Sequence, residues 1–202
     1  MAYGPLELSG VRDQDIPELL AVAQRGVHAP DRMPFSFPWT DAHADELPLN
    51  FAQFHWGNRA RFTRDSWSLE LAVRHEGIVV GSQGVTTTGF LVARTGETGS
   101  WLGMSHQGQG IGTLMRQAVC ALLFDHLDFT QITSAAFTDN PSSLTVSRKV
   151  GYRPNGLTRV ARRGQPAVMQ HLLLRPTDFV RGPHELDVEG IAPVRRLIGL
   201  DA

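Results

Sequence analysis

The stretch WLGMSHQGQGIGTLMR, residues 101–116, places Gly108, Gly110 and Gly112 at alternate positions directly before an apolar helical repeat. Glycine lets backbone amides approach an anion without a Cβ in the way. The first turn of a helix adds unpaired N–H groups and a partial positive charge. The stretch therefore predicts an anion site at the start of a helix.

The stretch fails two nucleotide-binding patterns and matches a third pattern. A P-loop requires a lysine after its last glycine, and Thr113 stands there instead. The dinucleotide fingerprint G-x-G-x-x-G is not met by GQGIG, residues 108–112, and no acidic residue follows at the expected strand end. The pattern Q/R-x-x-G-x-G/A, which seats a pyrophosphate on the helix start, is matched from Gln107 to Gly112.

Composition indicates a soluble globular protein without the features of several other classes. Of its 202 residues, 42% are hydrophobic and 19% charged, and the formal net charge is −1, so we expect no nucleic-acid partner. No apolar run approaches the roughly 18 residues that cross a bilayer, so we expect no membrane association. The single cysteine, Cys120, suits the reducing cytoplasm. The histidines show no metal-ligand spacing, so we expect no metal.

Hydrophobic periodicity predicts a mixed α/β sheet with helices packed against it. Strands are predicted over residues 5–12, 67–75, 77–90, 96–104 and 129–137, and a closing hairpin over 152–175 that turns near residues 164–166. Helices are predicted over residues 13–27, 41–62, 111–126 and 140–151, the last closed by Gly151.

A second motif lies further along the chain, and the two together resemble a known family. NPSSLTVSRKVGY, residues 140–152, is similar to the N-x-x-S-x-x-V-x-x-K-x-G-F/Y segment of the RimJ/RimL-like branch of the GCN5-related N-acetyltransferase (GNAT) superfamily. ETGSWLGMSHQGQGIGTLM, residues 97–115, resembles the strand, loop and helix of the same branch. The resemblance is best over residues 68–174 and implies a mostly antiparallel central sheet, splayed where acyl-CoA binds.

The resemblance implies one GNAT domain over residues 1–182, followed by a tail, residues 183–202, of uncertain structure. The tail fits either a short docked helix or a segment that binds a partner, such as a second copy in a homo-oligomer. The pantetheine arm of acetyl-CoA is expected near Leu102, Gly103 and Met104, whose amides are also candidate oxyanion donors. The full set of implied cofactor-binding residues is Leu102, Gly103, Met104, Gln107, Gly108, Gln109, Gly110, Ile111, Gly112, Thr113, Asn140 and Ser143.

Transfer of an acyl group to an amine needs a base, because a lysine-like amine with a pKa near 10.4 is less than about 0.1% neutral at pH 7. It also needs oxyanion donors and an acid for the departing thiolate. Ser143 matches the family position of the acid, and Ser147, where many relatives carry tyrosine, is a weaker candidate. Members of the branch often carry a glutamate base on the strand before the Asn140 position, and this chain has Thr133 and Ser134 there instead, so no motif identifies the base. The candidates are Asp41, Glu70, His28, His43 and His55.

The sequence therefore predicts an enzyme that transfers acetyl from acetyl-CoA to a primary amine by direct attack in a ternary complex. Arg159, Arg162 and Arg163 in the closing hairpin favour an alternative, in which a carboxylated donor such as succinyl-CoA binds to them. The missing family base and tyrosine favour another alternative, a non-catalytic module that binds acyl-CoA. The loop of residues 33–39, rich in proline and aromatic residues, either closes over the acceptor or plugs the core. The motifs name the donor and leave the acceptor open.

Overall fold

The computed structural model describes residues 1–201, which contain nine strands in one sheet and six α-helices. The strands are β1 (Ala2–Tyr3), β2 (Leu6–Gly10), β3 (Ser68–His75), β4 (Ile78–Thr86), β5 (Glu97–Leu102), β6 (Ile132–Phe137), β7 (Arg153–Arg162), β8 (Gln165–Leu174) and β9 (Leu186–Asp187). The helices are α1 (Ile16–Gln24), α2 (Leu47–Ala60), α3 (Phe90–Ala93), α4 (Ile111–His126), α5 (Pro141–Val150) and α6 (Ile191–Leu197). The mixed α/β class predicted from the sequence is confirmed.

The sheet is antiparallel except where β5 and β6 run side by side in parallel, in the order β7-β8-β6-β5-β4-β3-β2-β1-β9. β5 pairs with β4 along its whole length. Its pairing with β6 is limited to Glu97 and Thr133. Beyond that point the two strands separate, leaving an opening between residues 99–102 and 135–137 that we call the strand gap. The mostly antiparallel, splayed sheet expected from the resemblance is confirmed.

Helix α4 packs its predicted apolar face onto the sheet. Met115, Ala118, Val119 and Leu122 are all buried there, as the spacing requires. The same helix also buries Arg116, which the apolar repeat did not predict. Burying a charged side chain is costly unless other groups replace its hydration, so polar groups of the protein must surround the Arg116 guanidinium.

Several element boundaries differ from the sequence predictions; α1 and β6, for example, each begin three residues later than predicted. Helix α2 begins at Leu47, not near Asp41, because Pro48 occupies its first turn, where a missing N–H is harmless. Strand β4 ends at Thr86, and the chain then turns into the short helix α3. The closing hairpin turns at Arg163 and Gly164, both with positive φ, one residue earlier than predicted.

Residues 183–201 join the same sheet and core. Strand β9 pairs with β1. Helix α6 is followed by Ile198, which is only 1% exposed. Of the two alternatives for the tail, the structure shows a docked helix together with an added edge strand.

Replacement of Gly151 by alanine is expected to destabilise the protein by about 3 kcal/mol or more. Gly151 ends α5 with a φ of +105°, and a Cβ there would lie 2.0 Å from the carbonyl oxygen of Asp178. Urea unfolding of Gly151→Ala and Gly10→Ala measures the loss. Gly10 has no neighbour within 4 Å of an added Cβ, so its variant should change stability by less than about 1 kcal/mol. Equal losses in the two variants would contradict this explanation.

Candidate active site

A cleft of about 2360 Å³ opens at the strand gap and is lined by residues from both faces of the sheet. One end lies at the glycine loop, residues 107–113, in front of α4. The opposite wall is formed by α2 and by the segment of residues 27–41, which we call the roof loop. The tip of the β7–β8 hairpin closes a third side. The cleft thus connects a helix start to the inside of a sheet.

The glycine loop presents unpaired amides to this cleft. Gly108 and Gly110 have φ values of +76° and +84°, which other residues rarely adopt, and no atom lies within 4 Å of a Cβ added at either position. Within residues 1–201, the amides of residues 108–112 donate to no protein oxygen. Because the first turn of α4 also carries the positive end of the helix dipole, this loop is suited to a phosphate group.

Gln107 holds the glycine loop in place through its side chain. Its Nε2 donates to the carbonyl oxygen of Leu102 at 2.9 Å and to that of Val27 at 2.8 Å. The loop is thereby joined to the end of β5 and to the start of the roof loop. Because both hydrogens of this side-chain amide are used in these two bonds, Gln107 aids ligand binding by positioning the loop.

The amides at the end of β5 differ in availability. The amide of Gly103 donates to Val80 at 3.0 Å, and that of Met104 donates to Gly26 at 2.9 Å. Both are therefore unavailable as oxyanion donors, contrary to the sequence expectation. Strand amides alternate in direction, so the N–H of Leu102 points away from β4 into the strand gap. Leu102 is the one of the three whose amide faces the cleft.

Glu70 on β3 faces the cleft beneath α2, on the same side of the sheet as Trp101. Gly84 lies opposite it on β4, and a Cβ there would come within 2.5 Å of both Glu70 carboxylate oxygens. Ser82 Oγ donates to Glu70 at 3.4 Å. Burial raises the pKa of Glu70 to about 7, an effect larger than the opposing one of the Ser82 hydrogen bond. The carboxyl is therefore balanced between its neutral and charged forms near neutral pH.

The histidines proposed from the sequence are less suited to accept a proton. Both ring nitrogens of His28 are engaged, by the Ala29 carbonyl at 2.8 Å and the Thr40 hydroxyl at 2.7 Å. His43 is exposed and does not line the cleft. His55 lines the cleft, but burial lowers its pKa to about 4, which makes it a weak base.

Residues 6–153 match the family model described as an acetyltransferase (GNAT) domain. The chain belongs to the GNAT family of acetyltransferases. Among solved structures, a RimL ribosomal L7/L12 alpha-N-protein acetyltransferase in complex with coenzyme A has a TM-score of 0.71 at 17% identity, over 85% of this chain and 94% of that one. RimJ of Mycobacterium smegmatis, in complex with CoA-disulfide, has a TM-score of 0.72 at 21% identity, over 87% of each chain.

A third solved structure has a different acceptor in its name. A spermidine N-acetyltransferase SpeG chimera from Vibrio cholerae and hSSAT has a TM-score of 0.65 at 13% identity, over 86% of this chain and 97% of that one. At these identities the three structures show the shared GNAT fold, and the acceptors in the names of the RimL and SpeG structures differ.

The structure brings most of the predicted cofactor-binding residues of this GNAT protein to the cleft. Those that line it are Leu102, Met104, Gln107, Gly108, Gly110, Gly112, Thr113, Asn140 and Ser143. The side chain of Ile111 is buried in the core instead. Gln109 turns back to donate to the Ser105 carbonyl, and Gly103 does not line the cleft.

The two serines proposed as the acid lie in different surroundings on α5. The side chain of Asn140 caps this helix by accepting from the Ser143 amide at 3.2 Å. The Ser143 hydroxyl lines the cleft and bonds to no other described residue. Ser147 is 1% exposed and does not line the cleft, and its hydroxyl has no partner among residues 1–201. Ser143 therefore remains the candidate, and Ser147 cannot reach a ligand in the cleft.

The hairpin arginines do not form the shared anion site that the sequence suggested. Arg162 pairs with Asp139 at 2.6 Å, and Arg163 pairs with Asp41 at 2.7 Å. Both also donate to backbone carbonyls of the roof loop. Arg159 is exposed and does not line the cleft. The paired arginines fasten the roof loop to the hairpin, and the Arg163 bond holds the pKa of Asp41 below its usual value.

Aromatic rings of the roof loop and α2 form the wall of the cleft above Glu70. Trp39 lies 5.7 Å from Trp101 and 5.9 Å from Phe51, measured between ring centroids. Phe35 packs on Trp39 at 5.2 Å, whereas Phe37 is exposed. The roof loop therefore both plugs the space beside β5 and walls the cleft, which combines the two sequence expectations.

Two further features are absent from residues 1–201. No group of three or more metal-ligating side chains occurs there. None of the helices in that range is both long and apolar enough to cross a bilayer.

Proposed function

We propose that this protein transfers an acetyl group from acetyl-CoA to a primary amine by direct attack in a ternary complex. One observation carries the proposal: a single cleft joins the unpaired amides of residues 108–112 to the Glu70 carboxyl. The amides are suited to the diphosphate of the donor, and the carboxyl to deprotonating the acceptor. The free, buried Cys120 fits our further proposal that the reaction takes place in the cytoplasm.

The donor follows from the path between these two places. With its diphosphate on the glycine loop, the pantetheine arm would enter the strand gap beside Leu102 and bring the thioester between β5 and β6. The RimL and RimJ structures, which share the fold, were obtained with coenzyme A and CoA-disulfide, and this supports the same donor here.

The chemistry then uses three groups of the cleft. Glu70, in its charged form, takes a proton from the ammonium of the acceptor, and the amine nitrogen attacks the thioester carbonyl carbon. The Leu102 amide donates to the oxyanion that forms. The C–N bond forms, the attacking nitrogen loses its second proton to solvent, and the C–S bond breaks. Ser143 hands a proton to the departing thiolate, and its own proton is replaced from solvent. The products are an N-acetylated amine and coenzyme A.

The presence of Glu70 and Ser143 in the cleft favours catalysis over the alternative of a non-catalytic acyl-CoA-binding module. That alternative was based on the missing family base and the missing tyrosine. Glu70 lies on a different strand from the position expected of the family base, but it faces the same cleft as the glycine loop. The acceptors named for the neighbours, a ribosomal protein and spermidine, share an amine, which supports a primary amine as the acceptor class.

Gly112→Glu is expected to weaken coenzyme A binding about 10- to 100-fold relative to Gly112→Gln. Gly112 lies in the first turn of α4, and an added Cβ would be 3.5 Å from Val146, an ordinary contact, so either side chain can be accommodated. The two variants differ in charge and little in size. Isothermal titration with coenzyme A measures the difference. Equal affinities of the two variants would refute a diphosphate at this loop.

Glu70→Gln is expected to lower kcat about 100- to 10,000-fold, because glutamine cannot accept the proton. In the parent protein, kcat/KM should rise with pH through about 7 as Glu70 becomes charged, and this dependence should be lost in the variant. Steady-state kinetics across pH 5.5–9 measure both effects. Glu97→Gln is the matched control, since Glu97 also lines the cleft but is exposed. A Glu70→Gln enzyme with parental kcat and pH profile would exclude Glu70 as the base.

Ser143→Ala is expected to lower kcat about 10- to 100-fold with little change in coenzyme A affinity, because the departing thiolate loses its proton donor. Ser147→Ala serves as the comparison, because its buried hydroxyl has no partner and its removal should leave kcat unchanged. Steady-state kinetics of both variants decide the assignment. If Ser147→Ala were the slower enzyme, the acid would have to be sought elsewhere.

A further inference from the structure

Arg116 lies buried at the closed end of the strand gap. Its guanidinium is surrounded by four side-chain oxygens: Gln83 at 3.2 Å, Ser100 at 2.9 Å, Ser134 at 3.2 Å and Thr98 at 3.4 Å. Arg116 is 4% exposed, yet it lines the cleft together with three of these partners. A cation thus lies where β5 and β6 begin to separate.

No negative charge balances this cation within residues 1–201. All four hydrogen-bond partners are neutral, and no carboxylate of the described chain forms an ion pair with Arg116. The titratable groups beside it are Cys120 and Tyr152, and burial raises the pKa of both, so both are neutral at pH 7. Buried charges in proteins are normally paired, because an isolated one loses its hydration without compensation.

One N–H of the guanidinium is left without a partner within residues 1–201. Nη1 donates to both Thr98 and Ser134, and Nε donates to Gln83. Nη2 carries two hydrogens and donates once, to the hydroxyl of Ser100, which itself lines the cleft. A carboxylate entering the gap can accept from Nη2 and from the Ser100 hydroxyl together, with the charge complementarity that arginine offers.

We propose that Arg116 binds a carboxylate carried into the strand gap by a substrate, with Ser100 as its partner. This inference rests on the acyl transfer proposed above and names the class of its substrate. If the donor carries the carboxylate, succinyl-CoA takes the place of acetyl-CoA in that reaction. Two sources offer the same chemistry: the far end of a dicarboxylic acyl chain, such as succinyl, or the carboxylate of an amino-acid acceptor. Arg116 follows the first turn of α4, so an acyl chain extending from the thioester beyond Leu102 would run toward it. The hairpin arginines are not part of this site, because Arg162 and Arg163 are paired with aspartates and Arg159 does not line the cleft.

The donor experiment compares succinyl-CoA with butyryl-CoA, which have four-carbon acyl chains and differ in the terminal carboxylate. Both kcat/KM with one amine and the dissociation constant are measured in the parent, Arg116→Met and Arg116→Lys. If the acyl chain carries the carboxylate, the parent prefers succinyl-CoA, and Arg116→Met reduces the succinyl-to-butyryl ratio roughly 10- to 100-fold. Arg116→Lys, which keeps the charge, should recover part of the ratio. Arg159→Met, which removes a cation outside the cleft, should leave the ratio unchanged.

The acceptor experiment uses acetyl-CoA and compares amino acids with their carboxamides in the same variants. If the acceptor carries the carboxylate, the acid-to-amide ratio falls roughly 10- to 100-fold in Arg116→Met, and the donor ratio does not change. A purely structural arginine would lower all rates together and leave both ratios within about 2-fold of the parent. That outcome overturns the proposal.

Two further measurements apply if the Arg116→Met variant does not fold or if the parent shows no activity. If Arg116→Met does not fold by circular dichroism, Arg116→Lys and Ser100→Ala take its place, and unchanged ratios in both overturn the proposal. If the parent transfers no acyl group to any amine, the proposed function fails. The dissociation constants of succinyl-CoA and butyryl-CoA, and of an amino acid and its carboxamide, then still decide whether Arg116 binds a carboxylate.

Discussion

The separation of β5 from β6 after the Glu97–Thr133 pair is the constraint on which the rest of the site depends. Two strands that part inside a sheet leave backbone groups without strand partners, and buried groups of this kind must find others. Here the Leu102 carbonyl accepts from Gln107, while the Leu102 amide stays open to the cleft. The separation thereby creates both the entry for a ligand and a donor that faces it.

The sheet also keeps two charged residues of the cleft apart. Glu70 lies opposite Gly84 on the face covered by α2, whereas Arg116 bonds to Gln83 on the face covered by α4. Successive residues of a strand point to opposite faces of the sheet. Glu70, opposite Gly84, and Arg116, bonded to Gln83, therefore lie on opposite faces. Glu70 and Arg116 form no ion pair. Glu70 can therefore keep a pKa near 7 and Arg116 a charge available to a ligand.

Sequence reasoning succeeded where a feature depends on nearby residues. The alternating glycines predicted an open helix start, the apolar repeat predicted the buried face of α4, and Gly151 was recognised as a helix end. It failed for the hairpin arginines, because Asp41 and Asp139, which pair with two of them, are distant along the chain. It also missed that the amides of residues 103 and 104 are already used by residues from other elements.

The sequence by itself determined the family, the glycine loop and the order of the longer strands and helices from β2 to β8, because backbone freedom and periodicity are properties of neighbouring residues. Only the tertiary structure singled out Glu70 from the other base candidates and revealed Arg116. In the sequence, Glu70 occupies a polar position of an alternating strand, and Arg116 lies outside the predicted apolar face of α4. The pKa of Glu70 and the unbalanced charge of Arg116 depend on the groups that surround them. Those groups come from segments that are far apart in the chain and meet only in the folded protein.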